Sequence, residues 1–189
     1  MNKNITVLID NGHGKETAGK RSPVWDDGSQ LLEWEYTRKL ADAIIAKLTE
    51  KEIDSVKIVP EEKAICLTER ARRVNEICKT KKCILISLHC NAGKGTGWEC
   101  WTTVKKNNSD KLANTFITTY KELFPDKKCR GHREKNFTIL YQSNCPCVLT
   151  ENFFMDTYED CKFLMSEEGF ERIVDLHVKA IENYMEMYS

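Results

Sequence analysis

The sequence predicts an α/β fold: a single domain over residues 1–189, with a twisted, mostly parallel sheet of about six strands and helices on both faces. Two observations predict it. Short apolar, β-rich runs alternate with longer runs of helical period from one end of the chain to the other, as strands joined by helical crossovers do. Three of the apolar runs lead straight into polar side chains: Ile5-Thr6-Val7-Leu8-Ile9, Cys83-Ile84-Leu85-Ile86-Ser87-Leu88 and Cys147-Val148-Leu149-Thr150. In an open parallel sheet the carboxyl ends of strands line the crevice in which ligands bind. At 189 residues, 41% hydrophobic and 31% charged, the chain has the length and composition of one globular domain with its own core.

Strands are expected near 4–10, 55–59, 83–90, 97–104, 137–141 and 146–150. A polar loop over 15–30, broken by Gly19, Pro23 and Gly28, separates the first strand from the first helix. That helix, over 33–51, sets Tyr36, Leu40, Ala43, Ile44 and Leu48 on one face at spacings of three and four. A second covers 68–79. A third covers 108–124, opened by the capping candidates Asn108 and Ser109 and stopped by Pro125 and Asp126. The last, near 167–187, stacks Phe170, Ile173, Val174, His177, Ile181, Tyr184 and Tyr188 on one stripe, which makes His177 a core histidine rather than a ligand. The chain shows no internal repeat and no linker to a second domain.

Charge and cysteine usage narrow the function. Lysine plus arginine equal aspartate plus glutamate at 29 each, so no global field favours nucleic acid or an anionic membrane. No apolar stretch approaches the roughly 18 residues that span a bilayer. The first ten residues do not resemble an export signal, so synthesis in the cytoplasm without a signal peptide is expected. The nine cysteines form no Cys-x-x-Cys pair and read as reduced, packed thiols; Cys145-Pro146-Cys147 alone is a weak metal signal. The basic run Lys127-Lys128-Cys129-Arg130-Gly131-His132-Arg133 reads as a solvated loop, with contact to an anionic substrate as the alternative.

The chemistry gathers at the three strand ends. Ile9-Asp10-Asn11-Gly12-His13-Gly14 puts His13 on a glycine-flanked turn, Leu88-His89-Cys90-Asn91 puts His89 at a second strand end, and Glu151 follows the third. Catalytic zinc takes three protein ligands, commonly histidines with a carboxylate, and leaves a fourth position for water. His13 and His89 supply two. For the third, spacing leaves Glu33 and Glu35 both open, since both stand where the long loop gives way to the first helix. A glutamate in a first helical turn also has the simpler role of complementing the helix dipole. Glu151 at the end of a buried strand is costly unless paired or functional. It is read either as partner of Arg133 or Lys135, or as a general base and acid beside the metal.

Four blocks, in order along nearly the whole chain, resemble a family. Asp10-Asn11-Gly12-His13-Gly14, Glu33-Trp34-Glu35-Tyr36-Thr37, Ser87-Leu88-His89-Cys90-Asn91-Ala92 and Thr150-Glu151-Asn152-Phe153-Phe154-Met155 are similar to blocks of the zinc-dependent N-acetylmuramoyl-L-alanine amidases. These are enzymes of wall remodelling and phage lysis. Gly97-Trp98-Glu99-Cys100 resembles the Gly-x-Glu strand of that family, and Glu159-Asp160 falls where it often has an acidic pair. The resemblance implies Zn2+ held by His13, Glu33 and His89, and Glu151 as catalytic residue. It implies hydrolysis of the amide between N-acetylmuramic acid and L-alanine of the peptidoglycan stem, acting on the wall after release or export. A zinc peptidase cutting within the stem, or a non-catalytic peptidoglycan-binding module, are the alternatives. Should Glu151 be structural, Glu99 is the next base to test. Asn11, Phe153 and Thr157 depart from the family's usual proline, glycine and asparagine, which points to a reshaped cleft rim.

Overall fold

The computed structural model describes residues 5–104 and 107–188; Asn4, the expected first residue of the first strand, lies outside them. Six strands form one sheet: β1 (Ile5–Asn11), β2 (Ser55–Lys57), β3 (Lys82–Asn91), β4 (Trp98–Thr102), β5 (Cys129–Glu134) and β6 (Cys147–Phe154), in the order β2-β1-β3-β6-β4-β5. All pairings are parallel except β4 with β6, so β4 and β5 run against the other four. The strands that carry the candidate chemistry, β1, β3 and β6, are consecutive neighbours in the parallel part. Their carboxyl ends therefore meet at one edge.

Side chains alternate across the sheet, and two cores form. Ile5, Val7, Ile9, Ile84, Ile86 and Val148 face one layer made by α1 (Glu33–Glu50), α3 (Asn107–Leu123), α5 (Tyr158–Met165) and α6 (Glu167–Tyr188). Leu8, Cys83, Leu85, Cys147 and Leu149 face α2 (Leu67–Cys78) and α4 (Thr138–Gln142). The expected helices on both faces are present. His177 is fully buried on α6, as its stripe predicts. None of the nine cysteines is disulfide-bonded. No helix among the described residues is long and apolar enough to cross a membrane.

Three expectations need correction. Residues 137–141 are not a strand: 138–142 form the short helix α4, whose Ile139 and Leu140 pack under the sheet with Ala71 and Val74. A five-residue apolar run is too short for its period to tell strand from helix. The fifth strand instead is β5, within the basic run read as a loop. It pairs only with β4, at the sheet's edge, so it needs no apolar face, and none of its residues is fully buried. Helix α5 is absent from the expected set; it begins at Tyr158, where Glu159 and Asp160 complement its dipole.

Phe153 carries a backbone cost. Its φ of 60° is left-handed, a conformation that favours glycine and is strained for a bulky residue. This accounts for the glycine that the resembled family carries there. Phe153 is compensated by packing: 1% exposed, it lies within aromatic distance of Tyr120, Phe124 and Phe163. Phe153→Gly relieves the strain but empties the cluster, whereas Phe153→Ala empties it and keeps the strain. Urea unfolding is expected to show both variants destabilised, by about 2–5 kcal/mol, with the glycine variant more stable than the alanine variant by about 1 kcal/mol. An alanine variant as stable as the glycine variant would show that the left-handed backbone at 153 carries no strain.

Candidate metal centre and active site

β1 ends at Asn11, and the chain then turns sharply over two glycines. The Gly12 N–H donates to the Leu88 carbonyl at 3.0 Å, so the turn stays alongside β3. A Cβ on Gly12 would stand 2.5 Å from Cε1 of His89, and one on Gly14 would stand 2.1 Å from the Ala64 backbone. Only glycine fits at either place. Between them His13 adopts φ 61°, which turns its ring toward β3. The His13 and His89 rings lie 5.0 Å apart and nearly perpendicular.

Glu33 is the first residue of α1, placed there by its N–H, which donates to the Lys20 carbonyl at 3.1 Å. Its side chain is 1% exposed. Oε1 lies 3.3 Å from His13 Nε2 and 3.1 Å from His89 Nδ1, and accepts the Cys90 N–H at 3.1 Å. Oε2 is buried without a hydrogen-bond partner among the described residues. One donor atom from each of His13, Glu33 and His89 can be chosen so that all three lie within 4.8 Å of one another. Glu35 points elsewhere, forming an exposed ion pair with Lys39. The structure thus brings Glu33, not Glu35, to the two histidines.

Burial alone would raise the Glu33 carboxyl, but hydrogen bonds and charge from the two imidazoles hold it well below the usual carboxylate range. Burial would lower His89, and Glu33 outweighs it, so His89 is raised; at His13 burial prevails over Glu33 and the ring is lowered. Two imidazole nitrogens and a charged carboxylate whose Oε2 is unspent form a donor set suited to a borderline divalent ion.

Glu151 sits opposite His89 in the β3–β6 register. It does not end its strand, as the sequence suggested: β6 continues to Phe154. Neither Arg133 nor Lys135 pairs with it; Arg133 pairs with Glu99 instead. The Glu151 Oε2 is buried with no partner among the described residues. Burial, opposed by His89 and reinforced by the Glu33 and Glu99 charges, pushes its carboxyl up to about 7. Glu99, the neighbour of Glu151 on β4, is 3% exposed and fully occupied: it accepts from Asn91, Trp101 and Arg130, and pairs with Arg133. A carboxylate so completely paired is a poor base.

With this geometry in hand, comparison with known proteins is decisive. The family model described as N-acetylmuramoyl-L-alanine amidase matches residues 7–183. The chain belongs to the N-acetylmuramoyl-L-alanine amidase family. A sporulation-specific N-acetylmuramoyl-L-alanine amidase of Bacillus subtilis (strain 168) is 26% identical over 181 residues, 94% of this chain and 67% of that protein. An endolysin of Bacillus phage SPP1 is 23% identical over 188 residues, 96% of this chain and 66% of that protein. The crystal structure of an N-acetylmuramoyl-L-alanine amidase from Clostridium difficile 630 superimposes with a TM-score of 0.84 at 28% identity, covering 99% of this chain and 100% of that one.

Around this candidate centre the structure adds contacts that the sequence did not show. The His13 carbonyl accepts from both guanidinium nitrogens of Arg38 at 3.2 Å and from Arg70 at 3.0 Å. Arg70 also donates to the Asn11 carbonyl and to Asp10, whose other oxygen accepts from Ser87. Two buried arginines from two helices thus pin the strained His13 turn. Asn152 donates to the His89 carbonyl and accepts from Trp98. Asp160, from the acidic pair noted in the sequence, accepts from Phe154, Gly97 and Thr96 and so ties the β3–β4 loop to the end of β6. His177 bonds the Ile173 carbonyl and Thr150, and burial lowers it to about 4. No spacing rule reveals most of these partners, because they join elements far apart in sequence; His177–Ile173 and Asp160–Phe154 are the local exceptions.

The raised Glu151 carboxyl has a consequence for stability. Folded protein holds that proton up to about pH 7, whereas the unfolded chain releases it near the ordinary value of 4.5. Stability of metal-free protein therefore falls as pH rises through that interval and levels off above it. Glutamine mimics the protonated form. In urea unfolding of chelated protein, Glu151→Gln is expected to be more stable than wild type by roughly 3 kcal/mol at about pH 8, and no more stable at about pH 4. Parallel pH profiles for the two proteins would contradict the assignment.

Proposed function

We propose that this chain is a zinc amidase that cleaves the bond between the muramic acid lactyl group and L-alanine in peptidoglycan. His13, Glu33 and His89 hold the metal, and Glu151 is the proton carrier. One observation carries the reading. A buried, charged Glu33 touches both imidazoles, and on the strand beside His89 stands Glu151, whose Oε2 is buried with no hydrogen-bond partner among the described residues. When bound, zinc supplies Lewis-acid polarisation of the amide carbonyl and makes water more acidic.

The chain's own residues do the rest. Glu33 and the two imidazoles give the centre a fixed donor set, with one ligand at the start of α1, one on the turn after β1 and one on β3. The Glu151 carboxylate takes a proton from the attacking water, whose oxygen adds to the lactyl carbonyl carbon. The carbon–nitrogen bond then breaks, and Glu151 returns the proton to the leaving L-alanine nitrogen. The products are a lactyl carboxylate and a free stem amine. Burial raises this carboxyl to about 7 in the metal-free protein, and a bound cation would draw it back toward the charged form that accepts a proton. The enzyme acts at the cell wall. Relatives named as a sporulation-specific amidase and an endolysin support a peptidoglycan substrate.

Two sets of variants test the roles. Glu151→Gln is expected to lower kcat by about 10²–10⁴ while zinc content stays near one per chain. A variant keeping more than about a tenth of the wild-type rate would make Glu151 structural. Glu33→Gln is expected to reduce zinc content by elemental analysis, and Glu35→Gln to leave it unchanged; the reverse pattern would reassign the third ligand. Chelation should abolish release of free amines from purified peptidoglycan, and added zinc should restore it.

A further inference from the structure

The basic run around residue 130 is not a loose loop but an edge strand aimed at the active site. In register, His89 on β3 faces Glu151 on β6, Glu151 faces Glu99 on β4, and Glu99 faces Gly131 on β5. The β4–β5 register shifts between Trp98 and Glu99, and Gly131 there has φ 89° with open space where a Cβ would stand. Such a bulge re-aims a neighbouring side chain. It brings Arg130 onto the same carboxylate as Arg133: Arg130 Nε donates to Glu99 Oε2 at 2.7 Å, and Arg133 Nε lies 3.3 Å from that oxygen.

Each guanidinium is also seated on an aromatic ring, Arg130 over Phe154 at 4.9 Å and Arg133 over Trp101 at 5.6 Å. Arg130 hydrogen-bonds Glu99 through Nε, and Nε is also the nearest nitrogen of Arg133 to that carboxylate. The Nη1 and Nη2 groups of both side chains donate to nothing among the described residues. Glu99 neutralises one of the two charges and leaves one in excess. Two preoriented forks with unspent donors and a net positive charge make a receptor for a planar anion, which arginine binds bidentately.

We propose that Arg130 and Arg133, held by Glu99, form a subsite for a free carboxylate of the stem peptide. The proposal rests on the amidase reading above. Adjacent strands lie about 4.8 Å apart, so the arginine forks reach a point roughly 8–10 Å from Glu151. An extended peptide covers about 3.3 Å per residue, which puts the recognised carboxylate two or three residues beyond the bond that is cut. Glu99 acts here as a positioning residue, not as a base.

The test compares two synthetic muropeptides that differ only in whether the carboxylates of stem residues two and three are free or amidated. The readout is the ratio of their kcat/KM values on one protein preparation, in which a loss of folded enzyme cancels. Wild type is expected to prefer the free carboxylate by about 10–100-fold, mostly through KM. Arg133→Gln should bring that ratio close to one. Arg130→Lys, which keeps a charge beside Glu99 but loses the fork, should also lower it. A wild-type ratio of one, or an unchanged ratio in both variants, overturns the subsite and leaves the amidase reading standing. Failure of wild type to cleave either muropeptide overturns the amidase reading and the subsite with it.

Discussion

The structure is organised around a single carboxylate that cannot be left alone. Glu33 is 1% exposed, and a charge so buried is tolerated only beside compensating charge and hydrogen bonds. Supplying them sets demands on four separate segments. β1 and β3 must pair in parallel so that both histidines arrive at one edge. Residue 12 must be glycine, because any side chain would strike the His89 ring. Residue 13 must hold a left-handed backbone, which Arg38 and Arg70 stabilise through its carbonyl. Helix α1 must begin at Glu33 itself, which its N–H bond to Lys20 secures.

Glu151 is the counterpart, a carboxyl that stands opposite His89 in the sheet but in the opposite state. Glu33 has two imidazoles against one oxygen and is held charged; Glu151 Oε2 meets none and is raised toward neutrality. The proposed roles follow from that divergence, a charged carboxylate for the metal and a raised carboxyl for the proton. The third, Glu99, shows what full pairing does. With hydrogen bonds from Asn91, Trp101 and Arg130 and an ion pair to Arg133, it is spent as a base and becomes a frame for the arginines.

Much of this was legible in the chain. The runs ending at His13 and His89 declared buried parallel strands, and their polar ends declared a crevice. The stripe through His177 marked it as core, where it lies. Other features were hidden for physical reasons. β5 has no apolar alternation because it is an edge strand covered on one side only. Residues 137–141 carry strand-like composition, yet two of them, Ile139 and Leu140, are buried beneath the sheet as part of a helical turn. Glu33 and Glu35 could not be separated by spacing, since the choice depends on where α1 starts, and the Glu33 N–H donating to the Lys20 carbonyl fixes that start. The Arg70–Asp10 and Asn152–Trp98 links span about half a hundred residues or more and leave no local trace.

The central claim is that Glu33 and the two histidines are the metal's protein ligands while Glu151 stays free of it. Diffraction from zinc-loaded crystals on either side of the zinc absorption edge tests it most directly. The account predicts one strong anomalous peak bonded to one nitrogen each from His13 and His89 and to an oxygen of Glu33, at about 2.0–2.2 Å. The Glu151 carboxyl should stand outside that bonding distance. A zinc ion bound by Glu151 or Glu35 in place of Glu33, or anomalous density away from the two histidines, would contradict it.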